Sequence, residues 1–379
     1  MIELLANEEI KTIAFYLPQF HTIPENDKAH GEGFTEWTNV RKAKPLFENH
    51  NQPRTPLNGN YYCLLDDGVM EKQAKMAKDN GIFGFCYYHY WFGNGEKLLE
   101  KPIENMLNNK NIDIPFCLCW ANENWTKRWD GGQNEIIKQQ DYSKEYWGKH
   151  LEYLVRFFKD ERYISVNGSP ILIVYKPEEM PNYKSWVKFM KQHIKDYGFK
   201  SLCIVVQYPT YYIEKLNRKV FDYYIKFEPI YTIVEEGIKQ RSILKSIAYS
   251  IINKLPMRNS LINALSKVRK NRKKELTIRD YDDDWKRIIE RKDKNEGVFL
   301  GAFVDWDNTP RNKNGLCYKN ASPEKFGKYY NELKGKVEKE NKMRCIFVNA
   351  WNEWAEGAYL EPDTRNGYKY LEAINKNIK

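Results

Sequence analysis

The chain has few of the features that mark membrane, secreted or dinucleotide-binding proteins. No hydrophobic run among its 379 residues approaches the length of about 18 residues that a membrane span requires. The first segment contains Glu3, Glu8 and Glu9 and lacks the apolar centre of a signal peptide. No Gly-x-Gly-x-x-Gly follows the first predicted strand, so a dinucleotide site has no support. These absences favour a cytoplasmic protein without such a cofactor.

Cysteine and acidic clusters give no sign of a disulfide framework or a metal site. The seven cysteines are an odd number without paired spacing, and this pattern is typical of reduced thiols in a reducing compartment. The pair Asp305 and Asp307 is too small a set of ligands to predict a metal ion. The acidic cluster 280–284 is better explained as the N-terminal cap of a helix. We therefore expect neither a metal nor a cofactor.

One long segment contains no acidic residue at all. Between Lys239 and Lys274 there are eleven Lys or Arg and no Asp or Glu, while the whole chain has a net charge of +10. Apolar residues recur there at helical spacing, which predicts a basic amphipathic insertion over residues 236–284. Such a segment fits an anionic membrane surface. Nucleic acid is the competing partner, but only Tyr249 is available there for stacking. A solvated helix packed on the protein body is the third interpretation.

Eight short apolar runs alternate with helix-compatible stretches over most of the chain. Strands buried on both faces that alternate with helices indicate a parallel sheet, and eight repeats favour a closed barrel. We predict an α/β fold, a single (β/α)8 TIM barrel over residues 1–379 with the basic insertion between strands 6 and 7. A doubly wound open sheet is the alternative. The predicted strands are Thr12–Leu17, Ile82–Tyr88, Pro115–Trp120, Pro170–Tyr175, Leu202–Gln207, Phe221–Phe227, Val298–Val304 and Cys345–Ala350.

Polar and aromatic residues follow most of these strands, whereas the strand starts show no such enrichment. The catalytic residues of a (β/α)8 barrel gather at the C-terminal ends of its strands. These exits should therefore share one cavity, and aromatic rings with amides suit a carbohydrate. The candidate substrate contacts are Tyr16, Gln19, His21, Tyr88, His89, Trp120, Asn122, Glu123, Trp125, Asp305, Trp351, Asn352 and Trp354.

Some of these candidates have competing structural interpretations. Asn122 and Glu123 lie between two tryptophans, which favours contacts with sugar hydroxyls over a capping role. His89 lies between two tyrosines and fits two roles equally well. It can polarise a substrate oxygen, or it can satisfy a local hydrogen bond.

The most informative segment is Phe347–Gly357, an apolar strand that continues into Glu353 and Glu356. Glycosyl chemistry needs one carboxyl that donates a proton to the departing oxygen and a second that acts as base or nucleophile. In the first turn of a helix the β-carbons of these residues would lie about 5–6 Å apart. That separation favours retaining over inverting chemistry. Proximity and burial would keep one carboxyl protonated near neutral pH. A charged helix start is the competing interpretation.

Four segments together resemble the WbsX-type glycosyltransferase family, which is itself similar to glycoside hydrolase family 99, the endo-α-mannosidases. The resemblance extends over most of the chain and weakens between residues 236 and 284. The segments that carry it are Phe15–His21, Gly33–Trp37, Cys119–Trp125 and Asn352–Gly357.

The resemblance implies a barrel with a carbohydrate site at its top. In the family 99 hydrolases the final motif is Asn-Glu-Trp-His-Glu-Gly. Its first Glu is the base that deprotonates the sugar 2-hydroxyl, which gives a 1,2-anhydro intermediate and net retention. Its second Glu is the general acid and then the base. By position these roles correspond to Glu353 and Glu356. Ala355 stands where that family has histidine, which weakens an expectation of endo-mannosidase specificity.

The predicted function is that of a retaining glycosyltransferase in bacterial surface polysaccharide biosynthesis, of the O-antigen or capsule type. Its expected partners are a carbohydrate substrate on a lipid-linked acceptor and the inner face of the plasma membrane, without nucleic acid. The alternative is a retaining, endo-α-mannosidase-like glycoside hydrolase. A third class is a catalytically silent carbohydrate-binding barrel, but binding alone needs no proton donor beside a base.

Overall fold

The centre of the molecule is a closed barrel of eight parallel strands. The computed structural model describes residues 1–5, 9–127, 135–208, 217–238, 275–292, 297–340 and 343–375. Each barrel strand pairs in parallel with two neighbours, and the circle closes where β3 pairs with both β2 and β4. The strands are β1 (Lys11–Tyr16), β2 (Gly84–Trp91), β3 (Phe116–Trp120), β4 (Ser169–Val174), β5 (Cys203–Tyr208), β6 (Tyr223–Lys226), β7 (Val298–Phe303) and β8 (Cys345–Asn349).

The predicted barrel is confirmed, because all eight predicted strands are present within a few residues of their expected bounds. The open-sheet alternative is excluded by the closing pair of β3 and β4, in which Leu118 faces Leu172. The strands are almost entirely buried on both faces, as the sequence predicts for a sheet covered by helices.

Helices cover the outside of the barrel. Their apolar faces pack on the strands, so most of the core lies between the helix layer and the barrel. The described α-helices are α1 (Pro24–His30), α2 (Glu36–Lys42), α3 (Val69–Asp79), α4 (Lys101–Asn108), α5 (Trp147–Phe158), α6 (Tyr183–His193), a helical stretch over 230–238, α7 (Tyr281–Glu290), α8 (Pro323–Glu340) and α9 (Lys369–Asn375).

The loops contain short 3-10 helices and pairs of short strands. The 3-10 helices are Leu57–Gly59, Lys144–Tyr146, Pro177–Glu179, Ile194–Tyr197, Arg218–Val220 and Trp354–Glu356. Among the short strands, Ile2–Glu3 pairs with Ile164–Val166, which also pairs with β4, and Lys97–Leu98 pairs with β2. The remaining pairs are Trp125–Thr126 with Ile136–Lys138, Thr277–Asp280 with Leu316–Lys319, and Asn352–Glu353 with Ala358–Tyr359.

The basic segment lies outside the part of the chain that the structure describes. Residues 239–274, on which the predicted amphipathic helix rests, are not described. Of the predicted insertion, residues 236–238 are helical and Thr277–Asp280 is a strand. Asp280 caps α7 by accepting hydrogen bonds from the backbone N–H groups of Asp282 and Asp283, as expected for this acidic cluster. Within the described ranges, no helix has the length and apolar character of a bilayer-spanning helix.

Candidate active site

The two candidate catalytic glutamates lie on a tight hairpin at the C-terminal end of the barrel. After β8, the short strand Asn352–Glu353 pairs with Ala358–Tyr359, and the 3-10 turn Trp354–Glu356 connects them. Glu353 therefore ends one strand of the hairpin and Glu356 ends its turn. The helical first turn considered from the sequence is replaced by this hairpin, which still brings both carboxyl groups to one face.

A glycine and an arginine fix the end of this turn. Gly357 has a φ of +65°, a left-handed conformation that glycine adopts without strain. The Arg54 guanidinium donates to the Gly357 carbonyl oxygen at 3.1 Å. A β-carbon at this position would lie 2.8 Å from Arg54 Cζ, so any other residue would displace the arginine.

The central contact of the site is a buried arginine that binds three carboxylates. Arg311 donates to Glu353 Oε1 at 2.8 Å and to Glu356 Oε1 at 2.6 Å, through its two terminal nitrogens. It also donates to Glu36 Oε1, at 2.7 Å from Nη2 and 3.0 Å from Nε. Both candidate catalytic groups are therefore held by one planar guanidinium, which keeps them close together.

The loop after β7 positions this arginine. The Asp307 backbone N–H donates to the Glu356 carbonyl oxygen at 2.6 Å, which joins the loop to the catalytic turn. The Asn308 carbonyl oxygen accepts from the backbone N–H groups of Arg311 and Asn312, at 3.1 and 3.0 Å. The Asn308 side chain accepts from the Leu316 N–H at 2.8 Å and closes the loop.

Glu36 reaches the site from the long segment after β1. It is the first residue of α2, whose start is fixed by a reciprocal capping pair of Thr35 and Thr38. The next residue, Trp37, packs against Trp354 of the catalytic turn, with ring centroids 5.4 Å apart. Glu36 is fully buried, so its carboxylate depends on Arg311 for its charge partner.

Burial raises the pKa of all three carboxyl groups. For Glu353 and Glu356 the first cause is desolvation, and the contact with Arg311 opposes it. Mutual repulsion among the glutamates adds to the increase for Glu353, and desolvation likewise raises the pKa of Glu36. Three carboxylates around one guanidinium would carry a net charge of −2 if all were ionised. We therefore expect the cluster to retain a proton near neutral pH.

A cavity of about 350 Å³ opens beside the cluster at the top of the barrel. Its lining combines aromatic rings and amides with the carboxyl groups, and Gln19 Oε1 is a buried acceptor without a partner. The described lining residues are Leu17, Gln19, Tyr88, Tyr90, Ala121, Glu123, Asn124, Trp125, Thr126, Tyr175, Gln207, Phe227, Ile230, Trp306, Asn308, Arg311, Asn349, Glu353 and Glu356.

Six of the residues predicted from the sequence meet in this cavity. Both glutamates of the final motif line it, as do Gln19, Tyr88, Glu123 and Trp125. Gln19 donates to Tyr90 Oη at 2.6 Å, and the Tyr88 hydroxyl accepts from Gln207 at 3.2 Å. The Glu123 carboxylate forms an ion pair with Lys176.

Three predicted residues contact the helix layer instead, and a fourth holds the loop after β4. Tyr16 donates to Gln73 of α3 at 2.5 Å, and Trp120 packs against His150 of α5. His89 is 3.0 Å from His150, nitrogen to nitrogen, and burial lowers its pKa to about 3. Asn122 exchanges two hydrogen bonds of 2.7 Å with the Lys176 backbone. None of these four residues lines the cavity.

Three further predicted residues are buried and do not line the cavity. His21 is almost fully buried, which lowers its pKa to about 4. Asn352 joins the motif to β1 by accepting from the Leu17 N–H at 2.8 Å and donating to the Leu17 carbonyl oxygen at 3.0 Å. Trp351 packs on Phe85 outside the barrel, with ring centroids 5.1 Å apart.

The aspartates after β7 hold neighbouring loops. Asp305 accepts from Arg54 at 2.8 Å. Asp307 accepts from His50 Nε2 at 2.9 Å and from Gln52 at 2.7 Å. Burial would raise the pKa of Asp307, but these hydrogen bonds and the charge of Arg54 lower it to about 2.

His50, Asp307 and Cys317 lie close enough together to be considered as metal ligands. His50 Nδ1 accepts the Leu46 N–H at 3.1 Å, so its Nε2 carries the hydrogen and donates to Asp307. The nitrogen that faces the cluster therefore has no lone pair for a cation. The donor set does not fit a metal.

A further buried carboxyl, that of Glu361, contacts the turn that carries the two glutamates. Glu361 accepts from Trp354 Nε1 at 2.7 Å, from the Tyr62 hydroxyl at 2.9 Å and from Gln73 at 2.7 Å. Trp354 stacks on Tyr359 with ring centroids 3.7 Å apart, so it faces this network and not the cavity. Burial raises the pKa of Glu361 to about 7, although its hydrogen bonds lower it.

Sequence reasoning missed several residues of the site. Glu36 lies within the quoted Gly33–Trp37 segment, and its place on a long loop after β1 was the available signal. Arg311 lies a few residues beyond a noted strand exit, and nothing in its immediate sequence marks it. The strand exits also contained Tyr175 and Gln207, which line the cavity but were not selected.

Replacing Arg311 with methionine should destabilise the protein most at alkaline pH. When folding raises the pKa of a carboxyl group, that group stabilises the fold at pH values below its pKa in the unfolded chain. This contribution is lost as the pH rises through the pKa of the group in the folded protein. Without the cation the three pKa values rise further. We expect a loss of about 3–5 kcal/mol in the free energy of unfolding near pH 8, with a smaller loss near pH 5. Urea denaturation measures both, and Arg365→Met at an exposed position is the control. A loss independent of pH would contradict this electrostatic account.

Glu361→Gln should remove a distinct part of the pH dependence of stability. The ordinary pKa of this carboxyl is 4.5, and its pKa in the folded protein is about 7. Between these two pH values the folded protein holds a proton that the unfolded chain has released. The free energy of unfolding therefore falls as the pH rises through this window. The variant lacks this decrease. Between pH 5 and 8 its free energy of unfolding should therefore increase, relative to that of the unmodified protein, by up to about 3 kcal/mol. Urea titrations at several pH values test this, with the exposed Glu152→Gln as control. Parallel pH profiles would refute it.

Comparison with known proteins gives matches over nearly the whole chain. Residues 12–374 match the family described as Glycosyltransferase WbsX. Two curated proteins named Uncharacterized protein WxcX, from two strains of Xanthomonas campestris pv. campestris, are each 33% identical over 378 residues. The match covers 97% of this chain and 49% of each relative. The chain thus spans about half the length of the curated relatives it matches.

Solved structures with a similar fold include glycoside hydrolases. A structure described as a glycoside hydrolase-like protein has a TM-score of 0.58 at 14% identity and covers 98% of this chain and 95% of its own. The GH99 endo-alpha-mannosidase from Bacteroides thetaiotaomicron has a TM-score of 0.52 at 11% identity, with coverage of 98% and 97%. At such identities the likeness concerns the fold alone. The family match over residues 12–374 shows that the chain belongs to the WbsX glycosyltransferase family.

Proposed function

We propose that this chain is a retaining glycosyltransferase that acts in the biosynthesis of a bacterial surface polysaccharide. The observation that carries the proposal is the contact of one guanidinium with both Glu353 and Glu356 at the edge of a cavity lined by aromatic rings and amides. Retaining chemistry requires two carboxyl groups at close separation, and a shared arginine enforces it. Membership of the WbsX family supplies the transferase class.

The two glutamates differ in their exposure, and the resemblance to family 99 assigns their separate tasks. The Glu353 side chain is 10% exposed and the Glu356 side chain 23%. In this mechanism Glu356 donates its proton to the departing oxygen of the donor sugar and then takes a proton from the acceptor hydroxyl. The deeper Glu353 takes the proton of the sugar 2-hydroxyl, in the role that the resemblance to family 99 implies. It returns this proton to the same oxygen when the acceptor opens the 1,2-anhydro intermediate. Each proton transfer leaves a carboxylate, and Arg311 provides its ion-pair partner.

The alternative is a retaining hydrolase of the endo-α-mannosidase type. The fold likeness to the GH99 endo-alpha-mannosidase favours it, and it would use the same two glutamates with water as the acceptor. The two functions differ in whether sugar is added or removed. Incubation with lipid-linked and soluble glycans, followed by mass spectrometry, separates them by the sign of the mass change.

Glu353→Gln and Glu356→Gln should each lower kcat by about 10²–10⁴-fold, because each removes a group that transfers a proton. The substituted amide keeps nearly the same shape, so circular dichroism and thermal unfolding should show an intact fold. Glu152→Gln, on the exposed face of α5, is the matched control and should retain full turnover. Normal activity in either catalytic variant would overturn the mechanism, and inactivity in all three would point to a general defect.

We further propose that the acceptor is held at an anionic membrane surface that the basic segment contacts. The support is its composition, eleven Lys or Arg without an acidic residue between Lys239 and Lys274, since each basic residue near an anionic surface contributes about 1 kcal/mol. The segment follows β6, whose C-terminal end opens on the same side as the cavity.

Removing this positive charge should release the protein from anionic vesicles. In the test variant Arg269, Lys270, Arg272 and Lys273 become glutamine, and the control changes the exposed lysines 313, 319, 328 and 339 instead. Cosedimentation with phosphatidylglycerol vesicles should fall for the test variant and persist for the control, while phosphatidylcholine vesicles bind neither. Equal binding of both variants to anionic vesicles would refute membrane docking through this segment.

A further inference from the structure

A second and larger cavity lies beside the catalytic one. It has a volume of about 750 Å³ and is formed mainly by the loops after β2 and β3, the segments Phe92–Glu96 and Gln139–Tyr146. Both loops leave the C-terminal ends of their strands, so this cavity opens at the same end of the barrel as the catalytic cavity. The mechanism above uses none of its residues.

The two cavities share a thin wall. The Gln140 backbone N–H donates at 2.7 Å to the side chain of Asn124, which lines the catalytic cavity. The Tyr142 hydroxyl donates at 2.5 Å to the carbonyl oxygen of Asn122, whose neighbours Ala121 and Glu123 also line that cavity. Two hydrogen bonds therefore link the linings of the two cavities.

The second cavity combines aromatic rings with amide side chains. Gln140 is 7% exposed and donates its amide to the Trp91 carbonyl oxygen at 2.8 Å, while its Oε1 has no partner. Tyr146 is half-buried beside Gly93, where a β-carbon would come within 3.2 Å of the tyrosine ring. The glycine thus keeps the loop close to the ring. A flat ring beside amide groups suits a sugar, which offers both apolar C–H faces and hydroxyl groups.

The charges at this site favour an uncharged ligand. Its lining, in the described part of the chain, contains Glu96 and Asp141 and no lysine or arginine. Glu96 forms an ion pair with Lys138 at 2.7 Å, and Asp141 accepts the Ser143 N–H at 2.8 Å. Next to the lining, Lys138 is engaged by Glu96 and Lys149 donates to the Asn94 side chain at 2.8 Å. A phosphate or a uronic acid would compete with the lining carboxylates for these cations, whereas a neutral glycan meets donors and acceptors.

We propose that the second cavity is a glycan-binding subsite that holds the distal, uncharged sugars of an oligosaccharide whose reacting end lies in the catalytic cavity. The inference rests on the proposed function and extends it to the class of substrate. At about 350 Å³ the catalytic cavity is at the lower limit for a small-molecule site, so a longer glycan needs a second surface. The subsite makes the enzyme selective for extended, neutral glycans.

The test measures binding without turnover, in the Glu356→Gln background. Two variants alter the second cavity: Ser143→Trp fills it from an exposed position, and Tyr146→Ala removes its half-buried ring. Tyr197→Ala is the matched control, because this exposed tyrosine follows α6 at the opposite end of the barrel. Neutral manno- and gluco-oligosaccharides of increasing length, from monosaccharide to hexasaccharide, are titrated by calorimetry.

We expect affinity to increase with length in the background protein and in the control. Each cavity variant should bind the hexasaccharide about tenfold more weakly, a loss of about 1.4 kcal/mol, with unchanged affinity for mono- and disaccharides. Length-independent affinity, equal hexasaccharide binding in all variants or no binding of any member would overturn the proposal. The catalytic proposal fails separately, through normal turnover in Glu353→Gln or Glu356→Gln. Binding at the subsite would persist in that case.

Discussion

One buried guanidinium holds the functional end of this barrel together. Arg311 binds carboxylates from two other segments that are far apart in the chain, the start of α2 and the turn after β8. Three carboxylates around one cation leave an excess of negative charge that the barrel interior cannot solvate. A retained proton relieves that excess, and glycosyl chemistry needs a proton at the same place. Stability and the proposed chemistry therefore depend on the same arrangement of charges.

The turn that carries the glutamates is fixed on several sides before any substrate arrives. Asn352 joins it to the end of β1, Arg54 binds the carbonyl of Gly357, and Glu361 binds Trp354 from behind. These contacts use hydrogen bonds to buried groups, which are costly to break because an unpaired buried polar group loses its hydration without compensation. The carboxyl groups are consequently preorganised, as efficient proton transfer and charge stabilisation require.

The sequence was sufficient to predict the barrel but not the face on which each strand-end residue lies. Apolar runs and turn signals located all eight strands, and the rule that sites gather at strand ends located the cavity. Successive residues of a strand point to opposite faces, and strands buried on both faces show no alternation that would reveal which face is inside. Hence Tyr88 lines the cavity while its neighbour His89 packs on α5. Arg311 was unpredictable for another reason, because a loop with several local hydrogen bonds sets its direction.

The structure shows the surroundings of position 355, where this chain differs from the hydrolase motif. Ala355 is fully buried in the turn between the two glutamates and does not line the cavity. A histidine side chain is larger than the buried methyl group of Ala355, so a substrate contact from position 355 would require neighbouring residues to move. Under the proposed function, selectivity depends on residues that do line the cavity, such as Gln19 and Trp306. In the proposed transfer reaction water competes with the acceptor, so a bound glycan must displace it from the carboxyl pair. An extended acceptor that is anchored beyond the catalytic cavity has the higher effective concentration needed to do so.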